Sequence, residues 1–196
     1  MSAASFLTDF ADQAVLLPTA VAVGLMLAAS GWRRGALAWT VAVGTALAAT
    51  AALKLAFAAC GGLVADDALR NPSGHTAAAA ATYGGLAVIA ARWPACRVRP
   101  ALLAACAISL VIGASRVALG AHTVPEVVLG GAIGIAAAMA FARWSGRPPS
   151  TVRGSRVVLV AAAAALFLHG SHLRAEAVFR NKALLHTWPL SICSER

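Results

Sequence analysis

Six apolar stretches separated by short polar segments limit this chain to one class of fold. Several of them are slightly short of the ~20 residues that an α-helix needs to cross a bilayer. The pattern therefore predicts an all-α, polytopic membrane protein with a six-helix transmembrane bundle. The predicted spans are 15–30, 36–59, 76–91, 100–119, 125–142 and 157–169.

The composition supports membrane insertion and excludes several other classes of protein. Hydrophobic residues make up 60% of the chain and charged residues only 12%, against roughly 25% charged residues in soluble domains. This balance excludes a disordered chain, a coiled coil and a disulfide-rich scaffold. The net charge of +9 does not indicate nucleic-acid binding, since no basic face lies on a soluble surface. We expect a single transmembrane domain over 1–196, surrounded by the lipid bilayer, with 171–196 as an outer-side tail.

The arginines indicate the orientation of the bundle. Three alternate loops carry nine bases and no acid, whereas the other side of the membrane holds all seven acids. Basic loops stay in the cytoplasm under the positive-inside rule. Both termini and the loops at 58–71 and 120–124 are then predicted to face outward. The nine bases are Arg33, Arg34, Arg92, Arg97, Arg99, Arg143, Arg147, Arg153 and Arg156.

Ionisable groups in or beside transmembrane helices are candidates for function. Lys54 lies late in the second span, His75 opens the third, Arg116 ends the fourth and Glu126 opens the fifth, with His122 in the loop before it. Since successive helices run in opposite directions, these residues are predicted to lie at one membrane face, the outer one. A transporter would place such groups near the bilayer midplane. The pattern instead indicates a site open to lipid headgroups.

The first local motif is Asn-Pro-Ser-Gly-His at 71–75, directly before the third span. Gly74 allows close approach of the backbone, Ser73 can donate a hydrogen bond, and free amides at a helix N-terminus bind anions. The same residues fit a structural reading, in which Asn71 or Ser73 caps the helix and Pro72 lies in its first turn. Both readings stay open from this motif alone, because capping and phosphate binding use the same amides.

The second motif is Ser115-Arg116, five residues, His122, three residues and Glu126. Arginine binds a phosphate with two donors, and a histidine beside a carboxylate has its tautomer set for a nucleophile or a base. Each residue also has a structural alternative. Thr123 and Glu126 form a capping box, Arg116 ends a span, and His122 lies in a solvated loop. Their joint occurrence at one face favours a phosphate site.

The motifs NPSGH and SRVALGAHTVPE together resemble the second and third signature motifs of the type 2 phosphatidic acid phosphatase superfamily. The resemblance extends from about Lys54 to Glu126. It implies a helical membrane bundle that hydrolyses a phosphomonoester or a diphosphate without a metal ion or other cofactor. The residues agree, because no pair of acids near the site would hold magnesium and the histidines lack zinc spacing.

The resemblance also implies a role for each matching residue. His122 matches the nucleophile that becomes phosphohistidine, Glu126 the acid that orients it, and His75 the general acid that protonates the leaving oxygen. The phosphate-binding positions are matched by Ser73, Gly74, Arg116 and, from the first motif, Lys54.

The chain departs from the family pattern at two places. The family's first motif is Lys, six residues and Arg-Pro, but Gly61 and Gly62 stand at the Arg-Pro positions after Lys54. Arg70, directly before the second motif, is the candidate for the missing cation and is included among the phosphate-binding residues. The acid of the third motif is Glu126, one methylene longer than the usual aspartate.

These observations predict a membrane lipid phosphatase in a bacterial inner membrane, with its active site facing the periplasm or cell exterior. Undecaprenyl diphosphate is the leading substrate, and phosphatidic acid, phosphatidylglycerol phosphate and lipid A phosphate are alternatives. A second hypothesis is a non-catalytic phosphate-lipid binding or transport protein, favoured by the incomplete first motif. A small structural membrane protein would leave the one-sided charges unexplained.

Two further points stay open from the sequence. Cys60 and Cys193 both lie on the predicted outer side, where an oxidising compartment would allow a disulfide. The small-residue helix faces would permit pairing between chains, but packing within one chain needs the same faces. The oligomeric state therefore has no prediction.

Overall fold

The computed structural model describes residues 2–60, 71–91 and 98–173, with only the backbone of 58–60. Within these ranges the chain forms seven α-helices and no strand, so the all-α prediction is confirmed. The helices are α1 (Ala3–Asp9), α2 (Gln13–Ala29), α3 (Arg33–Cys60), α4 (Gly74–Ala90), α5 (Val98–Ala118), α6 (Val124–Trp144) and α7 (Gly154–Leu168).

Helices α2 to α7 correspond to the six predicted spans, whereas the short helix α1 has no counterpart in the hydropathy pattern. In the described part of the chain, four helical stretches are long and apolar enough to cross a membrane. Helices α4 and α7 are shorter, with 17 and 15 residues. A membrane-embedded bundle is therefore supported, and passage of all six helices through the bilayer stays a prediction. The four stretches are Ala3–Ala29, Arg33–Phe57, Val98–Ala118 and Val124–Trp144.

Helix α4 lies at the centre of the bundle, where it packs against α3, α5 and α6 and also contacts α2 and α7. Most of its side chains are buried and small, so neighbouring backbones approach it closely. A Cβ at Gly134 of α6 would lie 2.4 Å from the carbonyl oxygen of Ala77. One at Gly84 would lie 2.8 Å from the Cβ atoms of Ala105 and Ala138. The glycines therefore set the distances between these helices.

The largest buried side chains lie around the first half of α3. The rings of Trp39 and Phe141 meet edge to face, with centroids 5.5 Å apart. Trp39 Nε1 donates a hydrogen bond to the carbonyl of Ala20 at 2.9 Å, and Trp32 Nε1 donates to that of Ser145 at 3.0 Å. A buried indole N–H needs such an acceptor. These bonds join α3 to α2 and to the end of α6.

Large apolar side chains cover the outside of the bundle. Leu25, Leu103, Leu110, Val128 and Phe167 are each between 64% and 87% exposed. Large apolar side chains exposed in such number are unusual on a soluble domain. Hydrocarbon is a suitable solvent for it, in agreement with a membrane-embedded protein.

We expect Gly134→Ala to destabilise the protein by roughly 1–3 kcal/mol, as overpacking of a core does. The added Cβ would lie 2.4 Å from the Ala77 carbonyl oxygen and 2.6 Å from the Ala80 Cβ, and a helix backbone cannot move aside cheaply. The measurement is thermal unfolding of the purified protein in detergent.

Gly44→Ala is the matched control, because a Cβ at Gly44 meets no atom within 4 Å. Alanine is about 1 kcal/mol more favourable than glycine inside a helix, so this variant should be as stable as the wild type or more stable. An equal loss in both variants would contradict the close packing of α4 against α6.

Candidate active site

The ionisable residues of the two motifs lie at one end of the bundle. Lys54 is in the last two turns of α3, His75 in the first turn of α4, Arg116 in the last turn of α5 and Glu126 in the first turn of α6. Each helix runs back along its predecessor. The four side chains therefore share this end with the 71–75 segment and the loop that contains His122.

Ser73 begins α4 as its N-cap. Its Oγ accepts hydrogen bonds from the Thr76 N–H at 3.4 Å and from the Thr76 hydroxyl at 2.9 Å, and the residue is fully buried. The structural reading of this motif is therefore correct for Ser73. The prediction that Pro72 lies in the first turn of the helix is wrong, because Pro72 precedes the N-cap. A contribution of Ser73 to phosphate binding stays a prediction.

The Glu126 carboxylate connects the two motifs. Its Oε1 accepts the Asn71 N–H at 2.7 Å, and its Oε2 accepts the Thr123 N–H at 3.1 Å. The main-chain carbonyl of Glu126 accepts the Ser73 N–H at 3.0 Å. The predicted capping box of Thr123 and Glu126 is confirmed. Glu126 does more than cap α6, however. Its Oε1 and its main-chain carbonyl bind the N–H groups of Asn71 and Ser73 at the start of α4.

His122 forms a buried pair with the same carboxylate. Its Nδ1 lies 3.0 Å from Glu126 Oε2, and its side chain is fully buried. An ionised carboxylate only accepts hydrogen bonds, so Nδ1 carries a hydrogen, and in the neutral imidazole Nε2 has the lone pair. A nitrogen nucleophile needs this tautomer. The interpretation of His122 as a solvated loop residue is wrong, because its side chain is buried. Glu126, although longer than the usual aspartate, reaches the His122 ring.

A cavity of about 410 Å³ lies beside His75. A Cβ on Gly74 would lie 3.6 Å from Gln13 Nε2 and 3.8 Å from Lys54 Nζ, so the glycine leaves room beside the ammonium group. An ammonium group, an imidazole and a helix N-terminus together form a site for an anion. The lining residues are Gln13, Gly44, Leu47, Ala48, Thr50, Ala51, Lys54, Gly74, His75 and Leu173.

Arg116 lies partly buried at the end of α5. Its Nη1 donates to Thr8 Oγ1 at 3.4 Å, and its buried Nε has no hydrogen-bond partner among the described residues. A guanidinium with an unused N–H in a protected position is suited to binding an oxyanion. Six residues singled out from the sequence lie outside the described part, and the Cys60 side chain is also not described. The six are Gly61, Gly62, Arg70, Arg92, Arg97 and Cys193.

The sequence pattern missed the N-terminal segment as a part of this site. Asp12 Oδ2 lies 3.8 Å from His75 Nε2, and Gln13 lines the cavity. An aspartate before an apolar run is a helix-cap signal, and Asp12 does cap α2. Spacing along the chain gives no sign that it lies beside His75, because the contact joins distant segments.

The arrangement contains the parts for phosphoryl transfer to a protein nitrogen. A histidine paired with a carboxylate, a second histidine and two cationic side chains lie at one end of the bundle. In the described ranges, no group of three or more His, Cys, Asp or Glu residues is arranged to hold a metal ion.

A family model described as the PAP2 superfamily matches residues 35–149. The match includes α4, α5, α6 and nearly all of α3, and with them both motifs. No curated protein and no solved structure matches the chain at a significant level. Members of the PAP2 superfamily are phosphatases, which supports phosphatase activity in general. Since the match covers more than half of the chain and agrees with the resemblance of the motifs, the chain belongs to the PAP2 superfamily.

Proposed function

We propose that the chain is an integral membrane phosphatase that hydrolyses a lipid phosphate or diphosphate through a phosphohistidine. The observation that carries the proposal is the buried pair of His122 and Glu126, with 3.0 Å between Nδ1 and Oε2. Glu126 also accepts the Asn71 N–H. The paired histidine is thereby joined to the 71–75 segment, which contains the second histidine.

In the first step, His122 Nε2 attacks the phosphorus atom. The bond from phosphorus to the leaving oxygen breaks with its electron pair on that oxygen, and His75 supplies the proton. Lys54 and Arg116 stabilise the negative charge on the equatorial oxygens. Phosphoryl transfer depends mainly on such positioning and charge stabilisation.

In the second step, water attacks the phosphohistidine and His75, now neutral, accepts the proton of the water. The phosphorus–nitrogen bond breaks, inorganic phosphate leaves, and His122 regains its starting state. Glu126 stabilises the imidazolium character of His122 while charge develops on the ring, as the carboxylate of a catalytic triad does.

The shape of the cavity supports a substrate with a hydrocarbon chain. From Lys54 the cavity follows one face of α3, formed by Ala51, Ala48, Leu47 and Gly44. Residues at this spacing lie on one side of a helix, and ten residues span about 15 Å. Ala48 and Gly44 are exposed on the outside of the bundle. A phosphate beside Lys54 would thus have its chain along α3, in contact with the bilayer.

The groove along α3 accommodates one long chain, and undecaprenyl diphosphate is our leading substrate. Phosphatidic acid, phosphatidylglycerol phosphate and lipid A phosphate are the alternatives. We place the protein in a bacterial inner membrane with the site facing the periplasm or cell exterior. The loop arginines among the described residues support this orientation, because they lie at the opposite ends of the helices from His75 and Glu126.

A second candidate function is the binding or transport of a phosphate lipid without turnover. The glycines at 61 and 62, in place of the family's Arg-Pro, favour it. His122 separates the two functions, because turnover needs the nucleophile whereas binding depends mainly on the cations.

We expect the detergent-purified protein to release phosphate from at least one of undecaprenyl diphosphate, phosphatidic acid and phosphatidylglycerol phosphate in the presence of a chelator. His122→Ala should abolish the release and keep lipid binding. Release that a chelator stops would contradict the metal-independent mechanism. Absent release with intact lipid binding would instead support the binding protein.

We expect Glu126→Gln to lower kcat by up to about 10⁴-fold, as loss of the triad carboxylate does. Glutamine keeps the size of the side chain and one acceptor oxygen, but it removes the charge that selects the His122 tautomer. The measurement is kcat together with the thermal unfolding midpoint in the same detergent. An unchanged kcat in a folded variant would exclude the orienting role of Glu126.

We expect Gly44→Phe to lower activity on long-chain lipid phosphates and to spare short-chain analogues. A side chain at Gly44 enters open space at the end of the cavity away from Lys54, so it obstructs the hydrocarbon chain and leaves the phosphate site intact. The measurement is kcat/KM against chain length, with Gly44→Ala as the small control. A uniform loss at all chain lengths would contradict the course of the chain along α3.

A further inference from the structure

Asp12 is a buried carboxylate that the proposed reaction does not use. It lies between α1 and α2 with 7% of its surface exposed, and its Oδ2 is 3.8 Å from His75 Nε2. We propose that Asp12 is a positioning residue, which holds the His75 imidazole in the orientation from which it protonates the leaving oxygen. This inference rests on the proposed function, since it takes His75 as the general acid.

The other carboxylate oxygen of Asp12 sets the orientation of the group. Oδ1 accepts the Ala14 N–H at 2.8 Å and the Leu173 N–H at 3.0 Å. One donor lies in the first turn of α2 and the other follows α7, so two distant parts of the chain hold the same atom. Rotation of the carboxylate is thereby restricted, and Oδ2 stays the oxygen nearer to His75.

Helix capping does not account for the negative charge of Asp12. An N-cap needs one acceptor oxygen, and asparagine or serine supplies it as well as aspartate does. A buried carboxylate in a membrane protein also loses favourable hydration, which a neutral cap would avoid. The helix dipole favours a negative N-cap only weakly, and the His75 ring that faces Oδ2 is a further partner for the charge.

Two imidazoles face Oδ2, and they differ in exposure. His172 Nδ1 lies 3.6 Å away on a side chain that is 60% exposed, whereas the His75 side chain is 13% exposed. Asp9 Oδ1 lies 3.9 Å from His172 Nδ1, and Lys54 lines the cavity with His75. Ion pairs of exposed groups contribute little free energy. The Asp12 carboxylate therefore interacts more strongly with His75 than with His172.

This contact assigns separate tasks to the two nitrogens of His75. At 3.8 Å the Oδ2 charge favours a hydrogen on Nε2 over one on Nδ1, so in our proposal Nε2 keeps its hydrogen and Nδ1 delivers the proton. As the phosphorus–oxygen bond breaks, the electron pair moves to the leaving oxygen and the Nδ1–H proton follows. His75 is then neutral, with its remaining hydrogen on Nε2 beside Asp12.

The test compares two soluble substrates that differ in their need for an acid. Hexyl phosphate has a strongly basic leaving alkoxide that must be protonated, whereas p-nitrophenyl phosphate has a stable leaving phenolate. Asp12→Asn keeps the cap and the size of the side chain and removes the charge. General acid catalysis contributes about 10²–10⁴-fold in rate, so Asp12→Asn should lower kcat for hexyl phosphate by at least about tenfold. The kcat for p-nitrophenyl phosphate should stay near the wild-type value.

Asp9→Asn is the matched control, because Asp9 is equally buried and contacts His172 instead of His75. It should leave both rates unchanged. His75→Gln should show the same substrate selectivity as Asp12→Asn, with a larger loss. Equal losses for the two substrates in Asp12→Asn would show a merely structural role and overturn the inference, as would wild-type rates for both.

The two proposals fail in different ways. A wild-type protein that releases phosphate from neither soluble nor lipid substrates would refute the proposed function, and this inference with it. An active wild type whose Asp12→Asn variant cleaves hexyl phosphate normally would refute the inference alone.

Discussion

The close approach of α6 to α4 is the constraint on which the site depends. Glu126, Gly130 and Gly134 recur every four residues on one side of α6, opposite Ser73 and Ala77. A Cβ at either glycine would lie 2.4 Å from a carbonyl oxygen of this α4 strip. Since no larger residue fits, the two helices begin side by side, and the Glu126 carbonyl accepts the Ser73 N–H. The contact of the two motifs thus follows from backbone packing.

Because of this packing, the Glu126 carboxylate contacts both the 71–75 segment and His122. One carboxylate accepts the N–H groups of Asn71 and Thr123 and also sets the tautomer of His122. Structural and catalytic explanations of this residue are therefore not alternatives. The same hydrogen bonds that begin α6 hold the imidazole, and burial strengthens them because the local dielectric is low.

The two ends of the described chain meet beside the site. Thr8 accepts a hydrogen bond from Arg116, the Phe10 carbonyl accepts one from the Tyr83 hydroxyl, and Asp12 Oδ1 accepts the Leu173 N–H. These contacts give α1 its place, since a seven-residue helix is too short to be stable by itself. They also bring the Asp12 carboxylate next to His75, the proposed general acid.

Local sequence patterns, namely hydropathy and residue spacing, determined most of the helices and one pair of site residues. Helices α2 to α7 follow from hydropathy, which each stretch expresses independently. The pair of His122 and Glu126 follows from a four-residue spacing at a helix start. Only the tertiary structure decided the central position of α4, the cavity along α3 and the contact between Asp12 and His75. The physical reason is distance along the chain. Capping and hydropathy act between near neighbours, whereas these features join segments that come together only when the helices pack.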